Sequence, residues 1–409
     1  MTRQETARSS ASLCGRAAAW FTALVLLAAT TVAHGTALIW QERPLPDPDV
    51  RFLQVASSGT TLLARAHDPD DPFGPGLLFT SDDGLDWAPI DPGLAGRGID
   101  AIGFALDHFV VITNDGELLL SGDDAVSWST RPATVDPSAS IQGVVEHEGR
   151  LWLLARWRFG PAAAELVSSA DFIEWTSEYS SEAIGVLFDP ILGNLTAGDG
   201  ALALTKKAPP PALTTGAVLA MSSDGPDWLS FSDSNPPAGP PVSPDGIAWN
   251  GSAFIALAAP PLDGSPTPLQ IVQRTPDGNS DVFEHPDRVG RFRTLRGGPD
   301  GLLVQQLDDD ARRLWTSRDG TDWFEEPIVP SGTFLDFARW KGGWVGVGTT
   351  TIRGVPQQAL PVPALPLGGL IVLALGMALA GAVAAARQVA TQRARCRPTS
   401  PSGSSAPGG

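Results

Sequence analysis

An aspartate-centred turn followed by a tryptophan recurs along this chain, and its spacing restricts the fold more than any other property. In register the segments read Ser81-Asp82-Asp83-Gly84-x-x-Trp87, Gly122-Asp123-Asp124-Ala125-x-x-Trp128 and Ser169-Ala170-Asp171-Phe172-x-x-Trp175. Two more read Ser222-Ser223-Asp224-Gly225-x-x-Trp228 and Ser317-Arg318-Asp319-Gly320-x-x-Trp323, and a worn copy, Thr275-Pro276-Asp277-Gly278, has Phe283 for the tryptophan. Counted on the aspartates at 83, 124, 171, 224, 277 and 319, the intervals are 41, 47, 53, 53 and 42 residues. A period in this range marks a repeat architecture, because one such unit cannot bury its apolar faces alone.

One unit is clearest over residues 98–131. Gly98 to Phe104 alternates, Phe109-Val110-Val111-Ile112-Thr113 and Glu117-Leu118-Leu119-Leu120 read as further strands, and Trp128-Ser129-Thr130-Arg131 follows the aspartate turn. Four short strands with tight turns make a twisted antiparallel sheet, and radial stacking covers both of its faces. The last echo, Phe334 to Val347, has no Asp turn after it. Leu38-Ile39-Trp40-Gln41-Glu42-Arg43-Pro44 reads as a tryptophan strand without its own unit. Together they complete one unit and remove the free edges. The expectation is an all-β chain, a seven-bladed β-propeller with six or eight blades as alternatives, plus one C-terminal transmembrane helix.

The repeat resembles the Asp-box, or BNR, repeat of sialidases, sortilin-type receptors and the photosystem II assembly factor, over roughly residues 37–355. The resemblance implies structural roles for Ser81, Asp83, Gly84, Trp87, Asp124, Trp128, Asp171, Trp175, Asp224, Gly225, Trp228, Asp277, Asp319, Gly320 and Trp323. Asp and Ser side chains hold turn amides, Gly supplies positive φ and Trp packs between blades. Sialidases of this repeat use an Arg-Ile-Pro motif and a Tyr–Glu nucleophile pair. Here Glu42-Arg43-Pro44 is the nearest sequence to the motif, and the single tyrosine, Tyr179, falls on an expected outermost strand. No other reaction template occurs, neither Gly-x-Ser-x-Gly nor His-Glu-x-x-His nor a phosphate loop. No catalytic residue is assigned.

Charge and composition narrow the partners. Of the net charge of −17, residues 1–33 contribute three arginines and one acid and residues 361–409 four arginines and no acid, so residues 34–360 carry −23. Such a surface disfavours nucleic acid and anionic headgroups. The two cysteines, Cys14 and Cys396, lie in the terminal segments, and the five histidines include no i,i+4 pair. No metal site and no cofactor is expected. His67-Asp68-Pro69-Asp70-Asp71 reads as a solvated acidic turn in place of a calcium loop.

Both ends read as membrane signals. Residues 1–35 run from Arg3, Arg8 and Arg16 into an apolar stretch and small residues, the order of a signal peptide. Leu367 to Ala386 is uncharged and long enough to span a bilayer, and Arg387, Arg393, Arg395 and Arg397 then place the disordered tail, residues 387–409, in the cytoplasm. Residues 356–366 form a Pro-rich linker. Its end, Val362-Pro363-Ala364-Leu365-Pro366-Leu367-Gly368-Gly369, resembles exosortase-type sorting signals of the Ile-Pro-Thr-Leu kind through Pro363, Leu365 and Gly369. Gly368 stands where that pattern has tryptophan, and the tail is longer.

These features point to an extracytoplasmic propeller, anchored at the cell membrane or surface unless a sorting protease releases it. It would bind an envelope protein or glycan. Ligand contacts are expected on the face opposite the Asp turns, where insertions gather at His67 to Gly76, Arg156 to Ala163, Lys206 to Thr215 and Ala259 to Pro268. Arg156, Trp157, Arg158 and Phe159 combine aromatic surface with positive charge and are the candidate ligand-binding residues. The alternatives are a divergent sialidase-like glycoside hydrolase or a lyase acting over the channel, and a purely structural assembly factor.

Overall fold

The computed structural model describes residues 38–356 except 72–73, 95, 133–138, 158–163, 181–191, 208–216, 223–228, 231–241, 259–266, 277–278, 291, 308–311 and 329–330. Every regular element in that span is a β-strand. After β1 (Leu38–Pro44), the first sheet runs β2 (Arg51–Ser57), β3 (Leu62–His67), β4 (Leu77–Ser81), β5 (Ala88–Ile90). The second is β6 (Ile99–Ala105), β7 (His108–Thr113), β8 (Glu117–Ser121), β9 (Ser129–Pro132), and the third β10 (Ala139–His147), β11 (Arg150–Trp157), β12 (Ala164–Ser169), β13 (Thr176–Ser180).

The next two units are β14 (Leu192–Gly198), β15 (Ala201–Lys207), β16 (Ala217–Ser222), β17 (Leu229–Ser230), then β18 (Val242–Trp249), β19 (Phe254–Ala258), β20 (Thr267–Arg274), β21 (Ser280–Gly290). A single pairing, Ala217 with Val242, joins them into one eight-stranded sheet. There follow β22 (Phe292–Gly298), β23 (Gly301–Leu307), β24 (Arg312–Ser317), β25 (Trp323–Glu325) and finally β26 (Phe334–Trp340), β27 (Gly343–Gly348), β28 (Thr350–Pro356). β1 pairs antiparallel with β28, Trp40 opposite Gly354, so the first strand of the chain completes the last sheet.

Burial follows from this stacking. The second strand of a unit has neighbours on both faces, so β7 (His-Phe-Val-Val-Ile-Thr) and β23 (Gly-Leu-Leu-Val-Gln-Gln-Leu) are buried almost throughout and do not alternate. The fourth strand meets solvent, and β9 is exposed at every position. Apolar clusters lie between successive sheets. Val110, Ile112 and Leu118 pack with Leu151, Leu153 and Phe172, while Phe52, Phe79 and Trp87 pack with Trp340, Val345 and Val347, joining the first sheet to the last.

The first strands β2, β6, β10, β14, β18, β22 and β26 contact one another in a closed cycle around an axis. Each carries a register shift against its second strand, as between Phe52 and Gln54, Ile99 and Ala101, and Phe334 and Asp336. Bulges sharpen twist and release backbone groups from the ladder. Close approach also demands small residues: a Cβ on Gly103 would fall 2.5 Å from Val144 Cγ1, and one on Gly297 2.8 Å from Ala248 Cβ. Closed radial stacking of antiparallel sheets is the β-propeller arrangement.

Candidate functional site: the axial channel

The Asp turns show how local sequence builds the scaffold around the channel. Asp83 Oδ1 accepts from the amides of Leu85 and Asp86, both at 2.8 Å, and Ser81 Oγ accepts from Gly84 N at 2.8 Å. Asp171 and Asp319 repeat the arrangement with Ile173 and Glu174, and with Thr321 and Asp322. The position after each aspartate takes positive φ: 76° at Gly84, 60° at Phe172 and 91° at Gly320. Burial pushes the Asp83 and Asp319 carboxyls up, but the turn hydrogen bonds outweigh it and hold both below their ordinary value. Each described tryptophan packs against the preceding sheet, Trp323 with Ile255 and Leu257, and Trp128 with Leu63 and Leu78.

The second turn departs from the alignment on tryptophan. There Asp123, not Asp124, holds the turn: its Oδ1 accepts from Ser127 N at 2.9 Å and from Ser121 Oγ at 2.7 Å. The Ser127 hydroxyl and amide, with Ser121, pull the Asp123 carboxyl down to about 2. One extra residue separates this aspartate from Trp128, absorbed by positive φ at Asp124 (56°) and Ala125 (69°). Asp124 turns outward and accepts from Ser58 Oγ at 2.7 Å and Thr60 Oγ1 at 3.0 Å in the first unit. Asp224, Gly225, Trp228 and Asp277 lie outside the described residues.

Around the axis, side chains at or beside the bulges tie β22, β26, β2, β6 and β10 in succession. Gln54 bonds both backbone groups of Ile102, its Nε2 donating to the carbonyl at 3.0 Å and its Oε1 accepting from the amide at 3.1 Å. Asp100 Oδ2 accepts from Ile141 N at 3.2 Å, and Asp336 Oδ2 from Val55 N at 3.0 Å. The other oxygen of Asp336 accepts from Arg296 Nε at 2.7 Å. Arg65, on β3, donates to the carbonyls of Ile99 (2.7 Å) and Asp100. Burial draws its guanidinium below the ordinary value, opposed by the charges of Asp100 and Asp336. The acids of the first strands are thus staples between sheets.

Within this ring is a cavity of ≈ 370 Å³ lined by all the first strands. Its lining begins near the bulges and continues toward the strand ends, the side of the channel where the Asp turns also lie. Sequence reading put ligand contacts on the opposite face; there the insertions at 158–163, 208–216 and 259–266 fall outside the described residues. Polar groups lining the cavity are Gln54, Ser57, Gln142, Thr196, Arg296 and Arg339, and Asp336 is the one carboxylate among the described lining residues. Arg339 stacks on Trp344 (4.8 Å to the ring centroid) and reaches Asp300 at 3.5 Å, and burial lowers its guanidinium.

The other candidates lie elsewhere. Arg156 and Trp157 belong to strand β11, opposite Ser140 and Ala139, where a loop was expected; the pairing of β10 with β11 extends further than turn chemistry indicates. Arg158 and Phe159 lie outside the described residues, as do Pro363, Leu365, Gly369 and both terminal segments. Tyr179 is on β13, the outermost strand of its sheet. The acidic stretch at 67 forms a closed turn, Asp70 N donating to Asp68 Oδ1 at 2.8 Å and Asp71 N to the Asp68 carbonyl at 3.1 Å. Among the described residues no acidic or histidine cluster could hold a metal, and no helix is long and apolar enough to cross a membrane. Sequence reasoning missed Gln54, Gln142, Arg296 and Arg339; a polar side chain interrupting an apolar first strand was the available signal.

The described residues form an all-β propeller, and solved structures share the arrangement. YCF48 bound to D1 peptide matches with a TM-score of 0.55 at 16% identity, covering 79% of this chain and 98% of that one. YCF48 from Cyanidioschyzon merolae matches at 0.55 with 11% identity over 78% and 99% of the two chains. A catalytically inactive virginiamycin B lyase from Staphylococcus aureus with quinupristin matches at 0.50 with 14% identity, over 78% and 99%. Neither the comparison with protein-family models nor that with curated proteins finds a match.

Proposed function

We propose that this chain is a secreted, surface-anchored, non-catalytic propeller of seven blades that binds a partner protein or glycan at the cell envelope. The observation carrying this reading is the fate of the channel acids. A glycosidase needs two carboxyl groups facing a substrate, one free to exchange a proton. Here Asp336 spends both oxygens on Val55 and Arg296, and Asp100 binds the Ile141 amide. What remains on the described channel wall is a set of donors and apolar side chains, suited to holding a ligand.

The reading of seven blades is supported by the first strands that line the cavity, one per unit. The Asp-box kinship rests on turn chemistry at Asp83, Asp171 and Asp319. A protein partner accords with the peptide-bound neighbour, although identity that low carries only the fold. The leader at 1–35, the helix at 367–386 and the sorting motif at Pro363, Leu365 and Gly369 supply the address. The full-length chain is to be screened against envelope glycans and surface proteins. Saturable binding without turnover is expected, and release of reducing sugar from any glycan would support the hydrolase alternative instead. Intact mass of the mature protein tests the tail, since a C-terminus still carrying Arg397 rules out cleavage.

A further inference from the structure

Charge in the channel is balanced within an acidic protein, Arg296 facing Asp336 and Arg339 facing Asp300 beyond the lining. The chain carries −17, yet the described wall of the cavity holds two arginines against one carboxylate. That carboxylate is already neutralised by Arg296 Nε, while Arg296 Nη1 is turned back to the carbonyl of Leu295 at 3.0 Å. Among the described residues, Nη2 of the same guanidinium has no hydrogen-bond partner. Across the channel Gln142 is exposed, its Nε2 donating to Ser140 Oγ at 3.0 Å. Between these groups Phe104, Val144, Val145 and Ala338 are partly exposed and form an apolar strip in a wall that also carries Gln54, Ser57 and Thr196.

We infer that the channel is a binding site for a carboxylate carried on a short apolar body, with the charge on Arg296 and the body against Phe104 and Val144. The inference rests on the binding-module reading above and supplies its ligand chemistry. A guanidinium with one unused N–H edge matches a monoanion in a charge-assisted hydrogen bond. A free phosphate has no apolar body to set against Phe104 and Val144, so it gains none of the burial that an alkanoate does. The volume of ≈ 370 Å³ lies at the small end of ligand pockets, enough for a short alkanoate or the terminal residue or two of a peptide. Both sources share the recognised group.

Calorimetric titration of the purified full-length chain tests this. The probes are hexanoate, hexanamide, inorganic phosphate, and one short apolar peptide ending in either a free carboxylate or an amide. Hexanoate should bind about tenfold or more tighter than hexanamide and phosphate. A free-acid peptide that binds tighter than hexanoate identifies a chain terminus as the source, and one that binds more weakly identifies a small free acid. Because Arg296 also joins two sheets, Arg296→Gln would mix lost binding with lost stability, so the deciding variant is Gln142→Glu on the exposed wall. It should weaken hexanoate about tenfold, leave hexanamide unchanged and leave the melting temperature unmoved. Equal binding of acid and amide, phosphate as tight as hexanoate, or an unaltered Gln142→Glu variant each overturns the inference. Should the chain bind an envelope partner but no carboxylate, this inference fails while the binding-module reading stands.

Discussion

Replacing Asp336 removes the residue on which ring closure converges. It is 5% exposed, and its two oxygens serve the Val55 amide on the first sheet and the Arg296 guanidinium on the preceding one. Asp336→Ala leaves a buried N–H and a guanidinium with 30% of its side chain exposed, both unpaired. Breaking a buried pair from one side costs about 3–5 kcal/mol, and partial solvation of Arg296 puts this case near 3 kcal/mol. Unfolding entropy of roughly 2.1 cal/mol/K per residue gives about 0.7 kcal/mol per kelvin from Leu38 to Pro356, so the melting temperature should fall by about 4 °C. Asp336→Asn keeps one acceptor for Val55 but loses the charge and sets an NH2 against the Arg296 Nε–H, so about half or more of that fall is expected. Calorimetric scans of the two variants with Arg296→Gln and the double variant should give a coupling of about 1–2 kcal/mol. A melting temperature for Asp336→Ala within about 1 °C of the unaltered protein would refute the staple argument.

Further outcomes follow from other contacts. Glu42 accepts from Ser331 N and Oγ, Gly332 N and Thr350 Oγ1; burial raises its carboxyl, yet these bonds win and hold it below 4.5. A depressed carboxyl stabilises at neutral pH and loses that contribution as pH falls through its folded value. The melting-temperature gap between the unaltered chain and Glu42→Ala should therefore narrow below about pH 4.5, and a gap independent of pH would contradict the clasp. Asp123→Ala should lower the melting temperature more than Asp124→Ala, and the reverse order would restore the tryptophan-based alignment. Gly103→Ala drives a Cβ to 2.5 Å from Val144 and should cost about 1–3 kcal/mol in denaturant unfolding, whereas Gln142→Ala on the exposed channel wall should stay within about 0.5 kcal/mol.

Legibility tracked the distance over which an interaction acts. Ser81, Asp83, Gly84 and Trp87 sit within one turn, so residue types alone fix their bonds, and the same holds at Asp171 and Asp319. At Asp123 and Asp124 two acids stand side by side, and spacing to tryptophan selected the wrong one. Only the hydrogen bonds from Ser121 and Ser127 distinguish them. Arg156 illustrates another limit: whether a charged residue after an apolar run continues the strand depends on Ser140 lying opposite.

The sequence by itself determined that this chain is a repeat of short antiparallel strands and that Leu38–Pro44 lacks a unit of its own. Tertiary structure decided what the channel can do. Asp336 meets Val55 across 281 positions of sequence, and Arg296 meets Asp336 across 40. Those contacts exist because bulges turn backbone amides out of the ladder and because the ring closes, and neither is encoded in a local pattern. Hence the acids that could have signalled catalysis became staples, and the guanidinium edge facing the cavity came into view only once the sheets were stacked.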